Sequence, residues 1–226
     1  MLILSLITCC LFGCGNKEEE EWLKQVAAYR EAKFNTYADE NEKYSDYEVD
    51  VAFLGDSLTD GYNLSEYYPE YLTANRGIGG ETTTGLLERM PLSVYELKPK
   101  VAVMLIGINN VQTMFDDYEQ LLIGLTENLP NTQVIILSLT SMSGSWGERN
   151  QIAAYNNVKI KMLAEKYGFQ YVDLYSPLMD LESGGIYPEY TTDGGHLTPK
   201  GYWVLTEEIK PAIESALQTW EQENRG

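Results

Sequence analysis

Cysteine is nearly missing from the body of this 226-residue chain: the three that occur, Cys9, Cys10 and Cys14, all fall in the first fourteen residues. No disulfide framework can staple the remaining residues, so stability has to come from packing. Histidine is scarcer still, His196 being the only one. Zinc hydrolysis wants several His or Cys ligands, so no metal site is expected. Positive charge is also short, with 16 Lys and Arg against 34 Asp and Glu and a formal charge of −18. A surface so anionic repels phosphate backbones, which argues against nucleic acid as a partner. With 44% hydrophobic residues, 19 Gly and 8 Pro, the composition is neither disordered nor collagen-like. It is that of one globular domain, long enough to bury roughly 70% of the surface exposed by the unfolded chain.

The apolar run at residues 2–12 is too short to span a bilayer core, which takes roughly 20 apolar residues. It reads as the centre of a signal peptide. Leu11-Phe12-Gly13-Cys14 resembles the lipobox of bacterial lipoproteins, which implies acylation of Cys14 as the first mature residue. Two departures are the bulky Phe12 and the lack of Lys or Arg ahead of the run. The expected organisation is a signal peptide over 1–13, an acidic tether over 14–21 containing Glu18 to Glu21, and a domain over 22–226. The protein would then sit outside the cytoplasm, anchored to a bacterial membrane by lipid.

Trp22, Leu23, Val26, Tyr29, Ala32 and Phe34 recur at near-helical spacing among charges, predicting an N-terminal helix packed on the domain from about Glu20 to Tyr44. Beyond it, short apolar runs alternate with amphipathic stretches, the pattern of repeated β-α units and a parallel sheet. Strands are expected at 49–54, 74–77, 101–106, 134–139 and 169–174, and helices at 83–97, 115–129, 149–167 and 199–223. Pro199 suits a first helical turn, with Thr198 as its cap.

In open sheets of this kind ligands sit beyond the carboxyl ends of the strands. Gly55-Asp56-Ser57-Leu58-Thr59 follows the first strand, Arg76-Gly77-Ile78-Gly79-Gly80-Glu81-Thr82-Thr83 the second, and Gly107-Ile108-Asn109-Asn110 the third; Asp193-Gly194-Gly195-His196 precedes the last helix. Acyl transfer needs a nucleophile, a base, a carboxylate that holds the base in one tautomer, and donors for an oxyanion. Ser57, His196 and Asp193 can fill the first three roles. The N–H groups of Ser57 and Gly80 and the amide of Asn109 can supply the fourth. Each residue also has an ordinary alternative: a helix-capping Ser57, turn glycines, a loop-bridging Asn109, an Asp-Gly turn at Asp193. There is no G-x-S-x-G elbow, no phosphate-binding G-x-x-x-x-G-K-[ST] and no complete dinucleotide fingerprint, so no cofactor is expected.

These four segments, in this order, resemble the four blocks of the SGNH, or GDSL, hydrolases over about residues 49 to 220. The resemblance carries the nucleophile to Ser57, the second-block glycine to Gly80, the third-block asparagine to Asn109 and the last block's acid and base to Asp193 and His196. Arg76 to Thr83 looks most like the subgroup similar to platelet-activating-factor acetylhydrolase and to bacterial carbohydrate acetylesterases. The departures are Glu81 and Asn110, where Asp is often found. The resemblance implies an α/β fold, a flavodoxin-like three-layer α/β/α sandwich with a five-stranded parallel sheet of order 2-1-3-4-5. It also implies a serine esterase, and the expected substrates are short acyl esters, acetyl above all, of carbohydrates. Met142, Ser143, Trp146 and Tyr190 are the expected pocket lining, Trp146 as a platform for a sugar ring. The rival readings are a lysophospholipase or lipase, an acyltransferase of the same fold, and a non-catalytic surface module that binds glycans.

Overall fold

The computed structural model describes residues 15–225, so the signal peptide expected over 1–13 and Cys14 lie outside the described residues. The chain divides into two units between Thr36 and Tyr37. A long helix, α1 (Gly15–Lys43), supplies the described part of the first unit and continues into the second. Gly15 to Glu21, expected as a separate tether, are its opening turns. In the first unit Trp22 and Leu23 are about half exposed, at 54% and 52%. In the second, Tyr37 is buried and its hydroxyl donates to Gly77 O at 2.8 Å.

After α1 come β1 (Val51–Gly55), the short helices α2 (Ser57–Asp60) and α3 (Leu64–Tyr67), β2 (Thr73–Gly77), α4 (Thr83–Met90), β3 (Val101–Leu105) and α5 (Tyr118–Asn128). The chain goes on through β4 (Gln133–Leu137), α6 (Gly147–Lys166), β5 (Gln170–Val172), α7 (Tyr175–Leu178) and α8 (Pro199–Glu223). The strands pair in parallel in the order β2-β1-β3-β4-β5, the expected doubly wound arrangement. Successive side chains of a strand point to opposite faces, so each strand feeds two cores. Ala52, Leu54, Ala102, Met104, Val134 and Ile136 pack with α4, α5 and α6. Val51, Phe53, Val101, Val103, Leu105, Ile135 and Leu137 pack with α3 and α8.

The strands are mostly shorter than the apolar runs that predicted them, β5 most of all, because hydrophobicity continues past the last paired residue. The helix expected over 83–97 breaks at Pro91, which has no N–H to give to the preceding turn. A wider turn over Pro91–Tyr95 comes next, closed by Glu96 N–H to Pro91 O at 3.0 Å. By contrast α8 has its predicted bounds, with the Thr198 hydroxyl accepting from Gly201 N–H. Four of the tyrosines pack together: Tyr62, Tyr67, Tyr68 and Tyr202 cluster with Phe53, at centroid spacings of 4.8–6.1 Å.

Candidate active site

The carboxyl end of β1 delivers Ser57 as the first residue of α2, where its N–H has no acceptor inside the helix. The capping role that a serine can take here belongs to its neighbour. The Asp56 carboxylate accepts from Leu58 N–H at 3.0 Å, which leaves the Ser57 hydroxyl to point elsewhere. Its Oγ lies 3.1 Å from His196 Nε2. On the far side of the ring, His196 Nδ1 lies 2.7 Å from Asp193 Oδ2. Three side chains separated by up to 139 residues therefore form one continuous hydrogen-bonded line.

Asp193 holds this geometry with its other oxygen. Oδ1 accepts from the N–H groups of Gly195 at 2.9 Å and His196 at 2.8 Å, folding 193–196 into a tight turn around the carboxylate. Partial burial would raise the Asp193 pKa, but the His196 ring and the two N–H donors outweigh it and hold the carboxyl down at about 2. Thr191 ties the loop down: its hydroxyl donates to His196 O at 2.7 Å and accepts from Gly194 N–H at 2.8 Å. Across from it, Ser143 N–H donates to Gly194 O at 2.9 Å.

The opposite flank carries the oxyanion candidates. Gly80 has φ +77°, a conformation costly for any residue with a Cβ, and is exposed at the rim. The Asn109 amide donates one of its two N–H bonds to Glu81 O at 2.9 Å, which fixes the orientation of the other. Asn110 bridges to Thr83, donating to its hydroxyl at 2.8 Å and accepting from its N–H at 3.3 Å. Underneath lies a residue that sequence reasoning missed. Arg89, on α4, pairs with Glu81 at 2.8 Å and donates to Gly55 O, Arg76 O and the Ser93 hydroxyl at 3.0, 3.0 and 2.8 Å. No linear spacing signals it, because two of its partners are main-chain oxygens on different strands.

The expected pocket residues divide. Trp146 stands edge-on to the His196 ring, with centroids 5.3 Å apart and planes at 90°. Ser143 contributes through its backbone, as above. Met142 was expected in the lining, but its side chain is only 1% exposed and belongs to the core beside α6, because the loop turns the apolar group inward. Tyr190 packs against Tyr187 and the α8 core, with Lys200 across its ring at 5.5 Å. Asp56, immediately before Ser57, is fully buried, and burial pushes its carboxyl up to about 7 against the opposing hydrogen bond from Leu58. Among the described residues no three His, Cys, Asp or Glu are grouped to hold a metal ion, and no helix is long and apolar enough to cross a membrane.

One family match and three similar structures relate the chain to known proteins. The profile of the GDSL-like lipase/acylhydrolase family matches residues 53–204. A GDSL-like lipase from Bacteroides thetaiotaomicron has a similar structure, with 26% identity, a TM-score of 0.73, and coverage of 81% of this chain and 98% of the other. A proposed acylhydrolase from Bacteroides fragilis gives 26% identity and a TM-score of 0.72 over 80% of this chain and 95% of its own. An acetylxylan esterase from Geobacillus stearothermophilus, at 21% identity and a TM-score of 0.61 over 74% and 95% of the two chains, shares the fold. No curated protein matches the chain.

Proposed function

The chain belongs to the GDSL-like lipase/acylhydrolase family and is a carboxylic ester hydrolase, and on that premise we propose that it works as a serine esterase on short acyl esters of carbohydrates. Ser57 Oγ attacks the ester carbonyl while His196 Nε2 takes its proton. Asp193 keeps the Nδ1 proton in place and stabilises the imidazolium that forms. The negative oxygen of the tetrahedral intermediate is held by the N–H groups of Ser57 and Gly80 and by the free N–H of the Asn109 amide. His196 then gives its proton to the departing alcohol, leaving an acyl group on Ser57. Water, deprotonated by the same imidazole, releases the acid and restores the hydroxyl.

The observation that carries this reading is the line from Ser57 Oγ through the His196 ring to Asp193, at 3.1 and 2.7 Å. Both distances lie within the reach that proton transfer requires. The preference for acetyl esters of glycans is supported by the fold shared with an acetylxylan esterase and by an aromatic side chain, Trp146, beside the base. Turnover of p-nitrophenyl esters of increasing chain length tests both parts. The rate should be highest for acetate, and Ser57→Ala should abolish it together with labelling by a fluorophosphonate. Equal activity in Ser57→Ala and the parent would refute the mechanism, and a maximum at long chains would refute the acyl preference. Lipidation of Cys14, outside the cytoplasm, is part of the same proposal; Cys14→Ser should then move the protein from the membrane to the soluble fraction.

A further inference from the structure

Trp146 is held against the base by the shape of its neighbour. A Cβ on Gly195 would lie 2.6 Å from the indole Cδ2, so the ring reaches the 195–196 peptide only because that position has no side chain. The indole in turn carries Arg149, whose guanidinium carbon lies over the ring at 4.5 Å from its centroid. Two contacts, of 5.3 and 4.5 Å, thus lead from the imidazole to a cation.

That cation differs from the other arginines of its unit. Arg76 pairs with Glu40, Arg89 with Glu81 and Arg225 with Glu221. Arg149 has no carboxylate within ion-pair distance among the described residues, although the chain holds more than two acidic residues for each basic one. A guanidinium held over an indole by its carbon keeps N–H donors for other groups, and no ion pair among the described residues takes those of Arg149. Those donors match a carboxylate in a two-pronged geometry.

We infer that Trp146 and Arg149 form a subsite for the alcohol half of the ester, and that this half carries a carboxylate, as an acidic sugar unit does. The inference rests on the proposed mechanism in one respect: His196 protonates the departing alcohol, so that group must lie on the imidazole side, where Trp146 and Arg149 stand. The net charge makes the assignment demanding. A chain at −18 repels anions at long range, and preference for an anionic ester therefore needs a local cation.

The test compares two isosteric acetate esters, 4-acetoxybenzoate and neutral 4-acetoxybenzamide, by the ratio of their kcat/KM values in the full chain. Comparing ratios between variants cancels the different leaving-group reactivities. Arg149→Gln should lower the ratio about tenfold, the scale of one hydrogen bond to a charged group. Arg149→Lys should retain part of it, and Arg149→Glu should lower it further. Lys159→Gln removes one positive charge from the same helix, at a residue that lies over Phe115, and should leave the ratio in place. An unchanged ratio in Arg149→Gln, an equal loss on both esters, or an equal fall in Lys159→Gln would each overturn the subsite. Failure of Ser57→Ala to abolish turnover of both esters would instead overturn the mechanism, so the two failures are told apart.

Discussion

The two flanks of the candidate site are each built on a hydrogen-bonded pair of ionisable side chains, in opposite surroundings. Arg89 and Glu81 keep 3% and 2% of their side-chain surface exposed, whereas His196 and Asp193 keep 33% and 24%. A buried pair gains little net stability by forming, yet losing one partner strands the other charge away from water. It suits a part that must never change. The proposed base must gain and lose a proton in every cycle, and partial contact with solvent lets it do so without stranding a charge. The expectation is a division of labour, with one pair holding the fold and the other running the chemistry.

The largest effect that tests this division is on the open flank. Asp193→Asn should cost about 10⁴ in kcat and lower the urea midpoint by less than the buried-flank variant does, since only the contribution of its lowered pKa is lost; a variant with a tenth of the parental rate would remove the contrast. On the buried flank Arg89→Met should lower the unfolding free energy by about 3–5 kcal/mol, because the buried Glu81 carboxylate loses the guanidinium's opposing charge. Adding Glu81→Gln should recover part of that loss, and a cost typical of a surface pair would collapse the comparison from the other side. Asn109→Ala sits between the two, with an expected loss of about 10² to 10³ in kcat, little change in KM and an ordinary urea midpoint.

A further effect concerns pH. The Asp56 carboxyl, raised to about 7, holds its proton more tightly in the folded chain than in the unfolded one. Its contribution to stability therefore declines as pH rises from the ordinary carboxylate range and levels off above about 7. Asp193, held at about 2, acts in the opposite sense, and its contribution is lost as pH falls from the ordinary carboxylate range through that value. The D56N variant should gain on the parent between about pH 4 and about pH 7, read from urea midpoints across that window. A constant difference would refute the assignment.

Much of this is legible in the sequence, for physical reasons. Parallel strands covered on both faces leave unbroken apolar runs, and the polar residues after them must gather at one edge, which is how Ser57, Gly80, Asn109, Asp193 and His196 can be named from the chain alone. Strand ends are less legible, because apolar residues such as Val49 stay buried beyond the pairing. The break at Pro91 is visible in the sequence, yet the apolar spacing on either side of it predicts one continuous helix. Met142 misleads because a loop position says nothing of which way a side chain turns. Arg89 leaves no trace, since a side chain bound to backbone oxygens depends on where the strands lie and not on which residues compose them.

Arg89 has one more consequence. A single guanidinium grips Gly55 O, just ahead of the proposed nucleophile, and Arg76 O, just ahead of the oxyanion loop. The gap between the proposed attacking oxygen and the proposed oxyanion donors is thus gauged by a flat, conjugated group whose nitrogens cannot move apart. Soft packing would let that gap breathe; here any spreading of the two segments has to pull against a rigid ruler.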